Sequence, residues 1–289
     1  MPSVAPTTES HTRAETTRFL SQLRSVLDDI NLAAIKIGML ANADIIRTVG
    51  HTLRALLSTS KSPPPPLVLD PVCVSTSGHA LLDSQNDSEA LDVLIEELLP
   101  LTTVLTPNTT ESEALLLRQR QSHRAVGDSS RMKIKISSIE DMVRASRELC
   151  ALGPRAVLVK GGHVAHGSGG SSLRMADVEA AAAAIAATST KDDLRVHKIT
   201  AVCEGLVQHD VNMEILVQAQ AVSAAPAVCA NEVPVVVDVL CEVGDDEGGG
   251  RYTLFVRPYL DSKSTHGTGC TLSAALACAL AREEPRTCL

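Results

Sequence analysis

Short apolar runs recur along this chain, each ending on a polar residue or a tight turn, and helix-like segments separate them. Ala33-Ala34-Ile35-Lys36-Ile37-Gly38-Met39 reads as a buried strand that ends in a turn. Leu67-Val68-Leu69 delivers Asp70, and Thr103-Val104-Leu105 meets Thr106-Pro107-Asn108. Ala156-Val157-Leu158-Val159 ends at Lys160-Gly161-Gly162-His163. Between these runs the apolar spacing becomes helical. It does so over Glu15 to Asp28 (Phe19, Leu20, Leu23, Val26, Leu27) and over about Ala43 to Leu57 (Ile45, Ile46, Val49, Leu53, Leu56). Asn86 with Glu89 and Ser137 with Glu140 have capping-box spacing ahead of two further helices. Repeated strand–helix–strand order implies an α/β fold, a mostly parallel sheet with helices on both faces. Right-handed crossovers then bring the carboxyl end of every such strand to one edge, where open sheets of this kind bind ligands. Met39, Asp70, Asn108 and Lys160 all lie just past strand ends, so they are expected to gather there.

The rhythm is interrupted twice. A polar, basic stretch at about 118–136 reads as a surface insertion, and 167–234 reads as a longer one, partly helical, without assignable chemistry. Lys61-Ser62 followed by Pro63–Pro66 is a stiff connector, because proline suits neither a helix interior nor a central strand. Val235–Leu240 and Arg251–Val256 read as two strands of a hairpin around the acidic, glycine-rich loop 244–250. The whole, 1–289, is read as one domain.

His266-Gly267-Thr268-Gly269-Cys270 stands directly before a helix-like run in which Leu272, Leu276 and Leu280 repeat with alanines between them. A glycine-rich turn at a helix start leaves backbone N–H groups without helical partners and adds the positive end of the helix dipole. Both favour a phosphate or a developing phosphoryl charge. A cysteine at such a position can serve as base or nucleophile. A tight turn carrying a small buried thiol would show the same letters.

Composition removes several function classes. The net charge of -8 argues against a nucleic-acid-binding surface. The four aromatic residues, Phe19, Tyr252, Phe255 and Tyr259, give few platforms for stacked bases, so a bound ring would be gripped by aliphatic side chains and backbone. The eight cysteines form no C-x-x-C pair, which argues against a zinc ribbon or a thioredoxin-type site. No apolar h-region opens the chain and no run reaches membrane-spanning length, so a reducing cytoplasm is the simplest location.

Five ordered blocks together resemble the ribokinase-like superfamily, and within it the hydroxymethylpyrimidine/phosphomethylpyrimidine kinases of thiamin synthesis. They are Lys36-Ile-Gly-Met39, Asp70-Pro-Val72 with Ser77-Gly78, Thr106-Pro-Asn108 with Glu111 and Glu113, Lys160-Gly-Gly-His163, and His266-Gly-Thr-Gly-Cys270. The cysteine is the most specific element, since most sugar kinases of the superfamily carry aspartate there. The resemblance implies a three-layer ribokinase-like fold and phosphorylation of 4-amino-5-hydroxymethyl-2-methylpyrimidine and its monophosphate with ATP and Mg²⁺. Cys270 would take the proton of the hydroxymethyl group, or assist at the phosphate in the second phosphorylation. The amides of Gly267, Thr268 and Gly269 would form the anion hole. Met39 and Val72 would line the pyrimidine pocket. Asp70, Lys160 and Thr106 would serve the nucleotide, with Asp70 facing metal and phosphates, and Asn108 with Glu111 would act on Mg²⁺ and its water shell.

The resemblance departs at both ends. The family opens with strands, one segment glycine-rich and another bearing a glutamine that reads the ring, and this chain begins just before the helix that precedes Lys36-Ile-Gly-Met39. Its last residues stop soon after the helix behind Cys270. An exposed sheet edge is therefore expected. An incomplete gene model, a degenerate and inactive relative, and a homo-oligomer that covers the edge all stay open. A pyridoxal-type kinase of the same superfamily is the alternative activity, because its substrate also offers a hydroxymethyl group on a nitrogen heterocycle.

Overall fold

The alternation of apolar runs and helical segments folds into a single mixed sheet flanked by helices. The computed structural model describes residues 8–59, 63–72, 87–122, 133–162, 172–188, 193–198, 234–244, 250–259 and 267–282. In chain order the elements are α1 (Thr8–Asp29), β1 (Ile35–Ile37), α2 (Ala43–Thr59), β2 (Leu67–Leu69), α3 (Asp87–Val93), β3 (Val104–Leu105), α4 (Thr109–Ser122), α5 (Ile139–Cys150), β4 (Ala156–Val159), α6 (Met175–Thr188), β5 (Asp193–Lys198), β6 (Val235–Val243), β7 (Gly250–Pro258) and α7 (Thr268–Arg282). One wide turn, Leu94–Leu98, and one tight turn, Leu99–Leu101, prolong α3 toward β3.

The described strands form one sheet in the order β1-β2-β3-β4-β6-β7-β5. The first four run parallel, with Ile37 opposite Leu69, Leu69 opposite Leu105 and Leu105 opposite Val157. Their carboxyl ends therefore share one edge, as the crossover rule requires. β6 runs antiparallel to β4 and to β7, which makes the expected hairpin, and β5 joins β7 in parallel. The loop of that hairpin at 245–249 lies outside the described residues.

The sheet's faces are built by period-two alternation. Leu67, Leu69, Leu105, Val157 and Val159 face one core, together with Ile46, Val49 and Leu53 of α2, Leu115 and Leu116 of α4, and Ile139, Met142, Val143 and Leu149 of α5. Val68, Val104 and Ala156 face the other way, where Ala277, Leu276 and Leu280 of α7 cover them. That apolar stripe seats α7 on the parallel strands and sets its first turn above their carboxyl ends.

Two local readings shift. The cap of α5 is formed by Ser138 and Asp141, one residue later than the Ser137–Glu140 spacing suggested: Ser138 is extended, and its side chain accepts the Asp141 N–H. Asp141 in turn accepts the Ser137 N–H, so the box closes through a shorter acid. The 118–136 and 167–234 segments also contain pieces of the fold. Residues 118–122 are the last turn of α4. α6 buries Met175, Val178, Ala181 and Ile185 in the main core, and β5 pairs with β7 over six residues. An alanine-rich helix has no strong amphipathic pattern to announce that burial. Asn86 of the other expected capping box, Ser77-Gly78, His163 and His266 lie outside the described residues.

Candidate active site

The parallel strands carry their polar ends to one place. Asp70 follows β2 and is 1% exposed. Lys160 follows β4, and its Nζ lies 2.8 Å from Asp70 Oδ1. Thr106 follows β3; it is fully buried, and its hydroxyl lies 3.4 Å from both the Leu69 carbonyl oxygen and Asp70 Oδ1. The chain past β3 bridges in parallel to the chain past β4: Asn108 pairs with Lys160, whose N–H donates to the Pro107 carbonyl at 2.8 Å. A buried carboxylate is thus held by an ammonium and hydroxyls, which offsets the cost of taking its charge out of water.

Asn108 and Glu111 open α4 as a reciprocal cap. The Glu111 N–H donates to Asn108 Oδ1 at 2.8 Å, and the Asn108 N–H donates to Glu111 Oε2 at 2.7 Å. Glu111 is 3% exposed. Burial pushes its carboxyl up to about 7, and the nearby Asp70 carboxylate adds to this, while Lys160 and the Asn108 amide pull the other way. Two buried carboxyl groups therefore surround one ammonium, an arrangement short of positive charge.

α7 supplies the other wall. Gly267 has φ +80, a left-handed conformation that suits glycine and turns the chain into the helix. The Thr271 N–H and Oγ both donate to the Gly267 carbonyl at 2.9 Å, so the helical bonding starts there and the amides of Gly269 and Cys270 stand ahead of it. Cys270 is exposed with a free thiol. Lys160 reaches the same spot: a side chain built on Gly269 would meet Lys160 Nζ at 3.1 Å. A helix N-terminus and an ammonium thus converge next to an exposed thiol.

The ammonium's position depends on its neighbour. A Cβ on Gly161 would stand 1.8 Å from the Val237 carbonyl oxygen, so only glycine lets the chain pass β6 here. The Gly161 N–H donates to Asp238 Oδ1 at 2.8 Å, which fixes the turn.

Of the residues expected at the site, Asp70, Thr106, Asn108, Glu111 and Lys160 come together, and Gly267, Thr268, Gly269 and Cys270 form the turn above them. Asp70 and Thr106 are buried and lie behind Lys160. Val72 is half-buried, its N–H donating back to the Asp70 carbonyl at 2.8 Å. Met39 follows β1 at the outer side of the parallel set and is 61% exposed. Sequence reasoning missed Ser273, which is fully buried with its Oγ 3.3 Å from Asp70 Oδ2. A lone serine on the leucine-and-alanine face of α7, three residues after Cys270, was the available signal.

A family profile described as phosphomethylpyrimidine kinase matches residues 7–192 and 229–287. The chain belongs to the phosphomethylpyrimidine kinase family. A hydroxymethylpyrimidine/phosphomethylpyrimidine kinase of Streptomyces coelicolor is 29% identical over 91% of this chain and 60% of its own length. One of Mycobacterium tuberculosis is 39% identical over 53% of this chain and 46% of its own length. This family member thus spans about half the length of such curated relatives. The pyridoxal kinase of Staphylococcus aureus in complex with ADP superposes with a TM-score of 0.51 at 21% identity, over 92% of this chain and 61% of that one. That likeness bears on the fold, the three-layer α/β arrangement of ribokinase-like kinases.

Proposed function

We propose that this chain transfers a phosphoryl group from ATP to the hydroxymethyl oxygen of 4-amino-5-hydroxymethyl-2-methylpyrimidine and then to the phosphate of its monophosphate, in thiamin synthesis. The observation that carries the reading is the convergence of Lys160 Nζ on the N-terminus of α7 beside Cys270. Family membership supports it, and the curated relatives carry that activity in their names.

In this reading Cys270 Sγ accepts the proton of the substrate's hydroxymethyl group. The freed oxygen forms a bond to the γ-phosphorus of ATP, the bond from that phosphorus to the bridging oxygen breaks, and ADP leaves. The amides of Gly267, Thr268 and Gly269 hold the transferring group, and Lys160 offsets its charge. Preorganised donors of this kind supply much of the catalysis of phosphoryl transfer. Asp70 and Thr106 keep Lys160 in place. Met39 and Val72 meet the pyrimidine ring.

Mg²⁺ suits this donor set. Among the described residues no cluster of three or more His, Cys, Asp or Glu side chains is placed to cage a metal. Mg²⁺ commonly uses one or two carboxylates together with water and substrate phosphates. Glu111, buried and held up to about 7 by that burial, is a carboxyl group short of compensating charge. Glu111 and Asn108 would hold the ion through its water shell, and it would neutralise phosphate charge.

The free thiols of Cys150, Cys241, Cys270 and Cys278 fit a reducing cytoplasm. Among the described residues no helix is long and apolar enough to cross a membrane. A homo-oligomer is part of the same reading: β1 has β2 as its one partner among the described strands, and beside it Phe19, Leu23, Ile35, Ile37, Leu40 and Leu53 line a cavity of about 380 Å³. Sedimentation over a range of concentrations tests that part. The activity is tested by supplying ATP, Mg²⁺ and a panel of the hydroxymethylpyrimidine, its monophosphate and pyridoxal. Mass spectrometry should find phosphate on both pyrimidines. Transfer to pyridoxal alone would move the reading to a pyridoxal-type kinase.

A further inference from the structure

Asp70 uses both carboxylate oxygens, and the second is taken by a residue outside the motif set. Oδ1 accepts from Lys160 Nζ at 2.8 Å, while Oδ2 lies 3.3 Å from Ser273 Oγ. The same serine hydroxyl lies 3.0 Å from the Cys270 carbonyl oxygen, one turn back on α7. A serine hydroxyl has a single proton to donate, so the carboxylate and the helix carbonyl share it. Ser273 is fully buried, so it touches no ligand from where it stands. It lies between the turn that presents Cys270 and the acid that holds Lys160.

From this geometry we infer that Ser273 is a positioning residue: through Asp70 it keeps the first turn of α7, with Cys270 and the amide cradle, in register with the Lys160 ammonium. This rests on the kinase reading proposed above. The register matters because the cradle on α7 and the cation past β4 are carried by separate elements. Apart from the approach of Lys160 to Gly269, the described α7 contacts on this face are apolar: Val68, Val104 and Ala156 against Ala277, Leu276 and Leu280. Such contacts are non-directional and tolerate a slide or a roll of the helix. A hydrogen bond to a buried carboxylate has a preferred distance and angle that such contacts lack, so even shared with the Cys270 carbonyl and at 3.3 Å it favours one register of the helix. Misplacing a catalytic group by a fraction of an ångström is felt in the transition state more than in ground-state binding.

The test has a turnover arm and a ligand-free arm. In Ser273→Ala, turnover with the pyrimidine is expected to fall about tenfold while KM for ATP changes by less than about twofold, the size of one hydrogen bond to a charged group. In an Asp70→Asn background the same serine change is expected to cost less than about twofold, because the serine acts through that carboxylate. Ser273→Cys keeps the volume with a weaker donor and should fall between, so it decides the matter if the alanine variant does not fold. In the ligand-free protein, amide exchange of the 267–276 peptide should speed up about tenfold in Ser273→Ala, at conditions where denaturant unfolding shows both proteins folded. Full turnover in the folded serine variants, equal costs in both backgrounds, or unchanged exchange would overturn the inference. Faster exchange in a protein whose parent transfers no phosphoryl group would leave the Ser273–Asp70 link standing and remove the kinase reading.

Discussion

Three residues carry distinguishable physical loads at this site. Cys270 is the exposed thiol at the start of α7, and Cys270→Ala should lower turnover by about a hundredfold or more while leaving nucleotide affinity near the parent's, since a general base contributes on that scale and the amide cradle stays. Steady-state kinetics with a separate binding titration reads both. Gly161 is a steric requirement: a methyl group there would enter the Val237 carbonyl, so Gly161→Ala is expected to destabilise the protein by about 2–3 kcal/mol in denaturant unfolding and to displace Lys160. Glu111 links the site to pH. Its carboxyl is raised from an ordinary 4.5 to about 7, so between those values the folded protein holds a proton that the unfolded chain has released. Stability from this group is therefore greatest below the lower value and declines as pH rises toward the upper one, then stays flat. In the metal-free protein the decline should be on the order of 3 kcal/mol at most, and Glu111→Gln should remove it. Denaturant curves of the pair at about pH 5 and about pH 8 check this; parallel pH dependences in the two proteins would refute it.

At the scale of elements, most of what was legible followed from strand ends and caps. Asp70, Asn108 and Lys160 could be placed together because each follows a buried run, and parallel strands leave no other arrangement of their carboxyl ends. Asn108 and Glu111 stood out as a pair only through the family resemblance, and the structure closes them into a cap in both directions. Ser273 was not legible, because a small polar residue in a helix of alanines and leucines reads as neutral until the sheet beneath it is known. The support of Gly161 by Asp238 was equally hidden, since it depends on β6 entering antiparallel beside β4. α6 shows the same limit. Alanine on both sides of the helix gives little contrast, and only Met175, Val178 and Ile185 mark the buried side. Ile185→Ala should accordingly cost about 2–4 kcal/mol in denaturant unfolding, as for a core isoleucine. A cost near zero would return the helix to the status of a surface insertion.

Over the whole molecule, the arrangement is a division of labour between two faces of one sheet. The larger core on the α5 side holds the parallel strands in register, and α7 alone among the described helices closes the other face, so the first turn of α7 rides on a small, close contact. The anion cradle and the cation meet only because that contact and the Asp70 hub agree. The strand alternation was enough to bring these strand ends to one edge of the sheet, whereas the pairing of β5 with β7 depends on residues far apart in the chain and left no local pattern. The central claim is that this edge is a phosphotransfer site whose base is Cys270. It is tested most directly by incubating the purified chain and its Cys270→Ala variant with ATP, Mg²⁺ and hydroxymethylpyrimidine and weighing the product. The account predicts phosphorylated pyrimidine from the parent and a loss of about a hundredfold or more in the variant. Equal product from both, or none from a folded parent that binds ATP, would contradict it.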